Sequence, residues 1–514
     1  MLGPLPDGKR QCNRDWYPVA AQPSVTDRLD FEGPKGELTL VSAGTVDPRY
    51  PTREKILTRL GQPEAQVLFQ TQELLDYSEK GLRFVCNRTG NTIGVIYFQA
   101  GERRVPAGYP DTCNLRRSLP EAKQASPPKD FMVGTAEISV APQRFDDVAI
   151  ESKQQRYYLH EDVWARVAIF QHGANKIVLV GMDVFGLTPW DLGVLRRSLA
   201  QLGFEQVLIA MSHTHANVDT LGYFGYYPKA YVQHILAQTK RVVQDAAKNM
   251  KPIRSLKMGS VEMPLAGGRV ADVIYNVRRP GLIDPTVSLI QAVGQDGKPI
   301  VNVIHLACRP EAIRLRDKRG ISPDYVGTLC NEVRRQLGGQ PVFINGAMGG
   351  MLMPDIKVRG YESAAATGKA MARFVVQAAA LATPTSSYGL WLHRRPVQYP
   401  ITNAKLLEYL SSGPSPGYLV HGRIRTEMNA VWIGDAQLIT VPGALLPELG
   451  FEIMSHMKGR LRLIVGLAND EIGYFVPSYD FHAGQYEERT GPGAAGGEIT
   501  QAVGLELAPL RPPP

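Results

Sequence analysis

The sequence predicts an α/β protein in two parts, a small α+β module followed by a large domain in which strands alternate with helices. Three observations carry that expectation. Residues 176–183 are an apolar run that reads as a buried strand, residues 189–202 repeat apolar side chains at helical spacing, and residues 206–212 are a second apolar run. Strand, helix, strand in that order is a βαβ unit, and such units gather functional groups at the strands' C-terminal ends. Upstream, the stretch from Ser118 to Asp130 is polar, contains prolines and lacks apolar periodicity, so it reads as a linker. The expected division is 1–117, 118–130 and 131–514.

Taken in order, the small module opens its ordered part at Thr52, an N-cap residue, ahead of helically spaced apolar residues and a stop at Gly61. Residues 73–77 and 81–86 read as strands, and a turn at 87–91 leads into a third at 92–98, which together give a hairpin pattern. This module resembles small helix-plus-hairpin units of bacterial envelope proteins, which implies an accessory or docking role toward other protein subunits. The large domain begins with a strand from Phe131. Further strands are expected at 299–306, 341–345, 430–441 and 462–467. No period of 20–50 residues recurs, which argues against a repeat architecture.

Composition narrows the function. The 514 residues are 44% hydrophobic and 21% charged, the profile of a globular protein, and 50 Gly with 38 Pro point to many ordered turns. The formal net charge is +8, but the basic residues are dispersed, the tightest cluster running from Arg314 to Arg319. No zinc-finger spacing, RNP-like motif or basic helix accompanies them, so nucleic acid is not an expected partner. No apolar run reaches the roughly 18 residues of a membrane-spanning helix. The residues after Met1 lack the apolar core of a signal peptide, which leaves either a cytoplasmic protein or a start that is not the native one. Of the five cysteines, Cys12, Cys86 and Cys113 leave room for one disulfide, while Cys308 reads as a buried thiol and no CxxC pair suggests a cysteine zinc site.

Ser212-His213-Thr214-His215 closes the second buried strand. Two histidines two residues apart can address one locus if the chain kinks between them, and neutral imidazole is the commonest protein metal ligand. His305, inside an apolar run, reads instead as a core histidine. The tyrosine-rich stretch 223–227 suits either a cleft wall or an interface.

The strings FMVGTAEISVAP, MSHTHANVDTLGYFG, DPTVSLIQAV, VNVIHLACRPE, ISPDYVG, VFINGAMGGMLMPD, VWIGDAQLITVPGALLPELG and GLANDEIGYFVPSYDF follow one another in this order. Together they resemble the neutral/alkaline non-lysosomal ceramidase family, especially its shorter bacterial members, over roughly residues 131–490. The resemblance implies an α/β domain of mixed sheets with flanking helices, a periplasmic or extracellular location, and a zinc ion that activates water against the amide of an N-acyl lipid. The extra β-sandwich domain of longer members is expected to be absent.

Carried over by residue, the resemblance implies His213 as a zinc ligand, His215 as a histidine assisting catalysis, and Tyr474 as the tyrosine ligand with a catalytic role. Two positions depart from the pattern. Arg309 stands where a second histidine ligand is expected, and Ala444 where a glutamate is expected. Met353 occupies a place where Ser or Thr is common. Arginine keeps its proton and offers no lone pair, and its charge repels a dication. Asp219 and Glu471 lie near the motifs and are candidate substitutes. Tyr474 equally suits simple packing, and Arg309 a structural ion pair or, with His213 and His215, an anion site. Zinc is therefore expected to be absent or weakly held. The leading expectation is a catalytically degenerate member with a binding or assembly role. The alternatives are an active zinc amidase with a rearranged site and an anion- or carbohydrate-binding protein.

Overall fold

The computed structural model describes residues 30–32, 37–42, 51–69, 72–87, 90–97, 119, 125–144, 157–223, 227–265, 269–270, 272–278, 282–314, 319–412, 419–481 and 485–512. Cys12 and Cys113, and residues 315–318 of the basic cluster, lie outside them. The chain divides into two compact units, Met1–Asn114 and Leu115–Pro514. Within the expected linker, Leu119 and Ala125 pack against apolar residues of the second unit, and the Ala125 amide donates to Thr385 O at 3.1 Å.

In the first unit the helix Arg53–Leu60 is capped by Thr52, whose side chain accepts from the Lys55 amide, and ends at Gly61 in a positive-φ conformation. Strands form one antiparallel sheet with Glu37–Ser42, Thr92–Tyr97, Leu82–Asn87, Gln72–Tyr77 and Ala65–Phe69 in spatial sequence, and Asp30–Glu32 beyond the first. Ile56, Leu75, Tyr77, Phe84 and Cys86 fill the space between helix and sheet. Cys86 is a free, buried thiol, so it takes no part in the disulfide that the cysteine count allowed.

The second unit is built on a nine-stranded mixed sheet. Its spatial order is Gln206–Met211, Asn175–Met182, Trp164–His172, Phe131–Ser139, Lys251–Glu262, Thr286–Gly294, Pro299–Leu306 and Gln340–Asn345, with Thr383–Pro384 paired to Lys251–Glu262. The first pair and the last pair are parallel and those between are antiparallel. Side chains alternate across a strand, and the apolar content follows. Val178, Val180 and Met182 pack with residues of the helices Pro189–Ala200, Lys229–Lys248, Tyr325–Leu337 and Tyr361–Ala380. Ile177 and Leu179 pack with a second sheet containing Leu390–Pro400, Arg423–Ile433, Ala436–Thr440 and Leu461–Val465. The far side of that sheet carries the helices Ala404–Ser412, Pro447–His456 and Ala494–Leu507. The layers run helices, sheet, sheet, helices. The single strand expected over 430–441 is a hairpin instead, turning at Gly434, whose φ of 59° suits a residue without a Cβ.

The long sheet curls on itself. A Cβ at Gly181 would stand 2.5 Å from Phe343 O, so only glycine lets those two strands approach so closely. The curl brings the ends of three strands together at Asn345, which is fully buried. Its Nδ2 donates to Ser212 O at 3.2 Å and to Cys308 O at 3.0 Å, and its Oδ1 accepts from the Cys308 amide at 3.2 Å. Asn345→Ala removes the partner of Ser212 O and of the Cys308 amide, while Cys308 O keeps the Tyr325 hydroxyl at 2.6 Å. At roughly 1–3 kcal/mol per orphaned group, the second unit is expected to lose about 3 kcal/mol or more, read as a lowered urea midpoint at unchanged secondary structure.

Candidate functional site

The residues singled out in sequence meet at the junction that Asn345 holds. His213 follows the edge strand Gln206–Met211 with φ 64°, the left-handed region that a residue with a Cβ rarely adopts. This supplies the kink that aims two near-adjacent histidines together. The His213 amide donates to Val184 O at 3.0 Å. Its ring stacks on Phe185 at 4.4 Å, and Nδ1 lies 2.6 Å from Phe185 O. A carbonyl only accepts, so Nδ1 carries the proton and Nε2 keeps its lone pair. The His215 ring stands edge-on to His213 at 5.0 Å, with Nε2 buried, without a hydrogen-bond partner among the described residues and 3.9 Å from Glu311 Oε2.

Arg309 follows the strand Pro299–Leu306 and is 1% exposed. The two strands that deliver His213 and Arg309 belong to one sheet but stand well apart in its order, and it is the curl that joins their ends. Arg309 Nη1 donates to Glu311 Oε2 at 3.3 Å and to Met351 Sδ at 3.0 Å, and the guanidinium lies 5.2 Å from the centre of the Tyr474 ring. Ala444 is register partner to Tyr474 in a short parallel pairing. The Tyr474 hydroxyl points at Met351 Sδ, 3.4 Å away. His213, His215, Arg309, Tyr474 and Ala444 thus share one locus.

Other candidates serve structure. Asp219 Oδ1 accepts from the amides of Leu221 and Gly222, both at 2.9 Å, and so shapes a turn. Met353 lies in a short strand, with Sδ 3.6 Å from Arg359 Nη2. His305 Nε2 is 2.7 Å from Ile464 O in the core. Phe224–Tyr226 fall outside the described residues; Tyr223 donates to Glu471 O and Tyr227 to Asp191.

The group that sequence reasoning missed is Glu311. Its carboxylate meets Arg309 at 3.3 Å, Arg314 at 2.6 Å and Arg359 at 3.9 Å. Burial alone would raise its pKa, but His215 and the three guanidiniums outweigh it and hold the carboxyl far below the usual range. The available signal was spacing: Arg309, Glu311 and Arg314 lie within six positions, though Arg359 is remote in sequence. Glu471 behaves oppositely. Burial, then the neighbouring Asp470, push its pKa well above normal; Oε1 accepts from the Gly473 amide at 3.3 Å. Burial lowers His213 strongly, helped by His215 and Arg309, and brings His215 down to about 4.

Comparison with solved structures places this layering. A structure titled "Ceramidase complexed with C2" superposes with a TM-score of 0.61 at 15% identity, covering 74% of this chain and 75% of that one. The neutral ceramidase from Pseudomonas aeruginosa gives 0.60 at 16% identity, with 74% of each chain covered. This is the neutral ceramidase fold. No protein-family profile matches the chain, and no curated protein sequence matches it.

A zinc ion, which the ceramidase resemblance implies, finds a poor donor set here. Among the described residues no three of His, Cys, Asp and Glu converge in a way that could hold a metal. Two imidazoles and a phenol remain, Glu311 is committed to arginines, and a guanidinium lies beside the tyrosine. The residues present do not fit zinc.

The depressed His215 pKa makes acid destabilising. Between pH 6.5 and about 4 the unfolded chain gains a proton that native His215 refuses, so stability is complete above that window and falls within it. At about 1.4 kcal/mol per pKa unit, the loss is about 3 kcal/mol. His215→Gln removes this titration, and its urea midpoint is expected to drop less than wild type's between pH 7 and pH 4.

Proposed function

We propose that the chain employs the ceramidase fold for binding, in a degenerate metal site, and not for zinc-dependent hydrolysis of N-acyl lipid amides. The observation that carries the proposal is the placement of Arg309 against Tyr474 and Met351, with Ala444 alongside. Zinc hydrolysis needs about three protein ligands and an open position that lowers the pKa of bound water. A buried guanidinium supplies neither a ligand nor tolerance for a dication. The first unit, a sheet with one helix, would serve as an accessory module that docks other protein subunits. No helix among the described residues is long and apolar enough to cross a membrane.

One observation favours the runner-up, an active amidase with a rearranged site. His213 presents its Nε2 lone pair with Nδ1 anchored to Phe185 O, the arrangement that a metal-ligating histidine adopts. Metal analysis separates the two readings. The wild-type protein, purified without chelator, is expected to carry far less than one zinc per chain and to release no measurable fatty acid from ceramide. Arg309→His with Ala444→Glu is expected to raise zinc content severalfold, even where activity stays low. Stoichiometric zinc in the wild type, with amidase activity that disappears in His213→Ala, would overturn the proposal.

A further inference from the structure

We infer that the Arg309 site binds a monocarboxylate with an apolar body, an inference that rests on the binding role just proposed. Among the described residues Arg309 spends only Nη1, on Glu311 and Met351; Nε and Nη2 are buried and have no hydrogen-bond partner among them. Those two nitrogens form one edge of the guanidinium. Their N–H bonds run parallel at the spacing of two carboxylate oxygens, which is why such forks take carboxylates in a bidentate grip. Buried polar atoms are rarely left unused. Here His215 Nε2 and Glu471 Oε2 are also buried without a hydrogen-bond partner among the described residues.

These atoms belong to one neighbourhood. A Cβ at Gly186 would lie 3.2 Å from Glu471 Cβ, and Gly186 follows Phe185, whose ring stacks on His213 and meets His215 edge-on at 5.2 Å. Both His215 and Glu471 sense the charge of Arg309.

Charge and shape select the ligand class. The unmatched edge belongs to a guanidinium, a fixed cation, and so suits an anion. The open edge is a single two-donor fork, and the guanidiniums of Arg314 and Arg359 are already drawn to Glu311. That matches the flat pair of oxygens of a monocarboxylate better than the tetrahedral, doubly charged phosphate, which seeks several cations. Met351 Sδ, the Tyr474 ring and the Phe185 ring offer apolar contact to the rest of the molecule.

The test uses the full chain with sodium benzoate, its uncharged isostere benzamide, and inorganic phosphate, read by saturation-transfer NMR and by the imidazole 15N–1H signals of His213 and His215. Benzoate is expected to bind and to shift both imidazole signals, with benzamide and phosphate leaving them unmoved. Arg309→Lys keeps the charge and removes the fork, so benzoate affinity is expected to fall about tenfold or more. Should that variant not fold, the imidazole shifts in the wild-type protein decide alone. Benzamide or phosphate binding as well as benzoate, or benzoate binding without imidazole shifts, would overturn the inference. Zinc is measured in the same samples. Zinc-free protein that ignores benzoate sinks the carboxylate inference only, whereas stoichiometric zinc sinks the binding role along with it.

Discussion

The site depends on one buried amide. Asn345 stands at the end of a strand on one edge of the curled sheet, and its side chain bonds to Ser212 O, next to His213 at the other edge, and to both backbone groups of Cys308, next to Arg309. A hydrogen bond exchanged with water in the unfolded chain has a modest net worth, but one that cannot be remade once buried is costly to lose. Asn345 is therefore less a source of stability than a condition on geometry. Its side chain can meet both neighbours only if the three strand ends sit where the site needs them. Glycine at 181 makes the approach possible by leaving room for the backbone of Phe343.

Around that junction the electrostatics run opposite to those of a zinc centre. A metal site gathers lone pairs and negative charge about a cation. Here the fixed cation is part of the protein, and the negative group nearest to it, Glu311, is shared among Arg309, Arg314 and Arg359. The histidines respond as neutral neighbours of a buried positive charge should: burial and Arg309 both discourage their protonation. Glu471 is shifted upward instead, because burial, with Asp470 beside it, outweighs the pull of Arg309. Two carboxyls in one locus are thus shifted in opposite directions, Glu311 by the guanidiniums it faces and Glu471 by its burial.

Much of this was legible in the sequence, and the parts that were not have physical reasons. The runs at 176–183 and 206–212 form adjacent parallel strands because continuous apolar sequence can only be buried on both faces. The Thr52 cap and Gly61 stop bound a helix by local chemistry alone. The convergence of His213, Arg309, Tyr474 and Ala444 was readable only through resemblance, since these residues span much of the chain. The strand order was not readable. Curling the sheet to bring its two edges together depends on Gly181 and Asn345, and neither residue type announces a long-range partner. The turn at Gly434 and Asp435 was hidden inside an apolar run, because both arms of that hairpin are buried. Glu311 escaped notice because an acidic residue among basic ones reads as a solvated surface, whereas here it is 2% exposed.

The way His213 is held bears on how such a site could change its chemistry. Its backbone is fixed by the bond to Val184 O and by its left-handed φ, and its ring by Phe185, through stacking and through the Nδ1 bond to the carbonyl. None of those interactions involves a metal. Arg309 is likewise delivered by main-chain bonds, its own amide donating to Leu352 O at 2.9 Å. A scaffold that fixes its functional positions by backbone bonding keeps its shape when the side chain at one position is exchanged, provided the newcomer's charge is answered. Glu311 gives that answer for one nitrogen of Arg309. The fork edge that Glu311 does not reach is then the part of Arg309 left unmatched among the described residues.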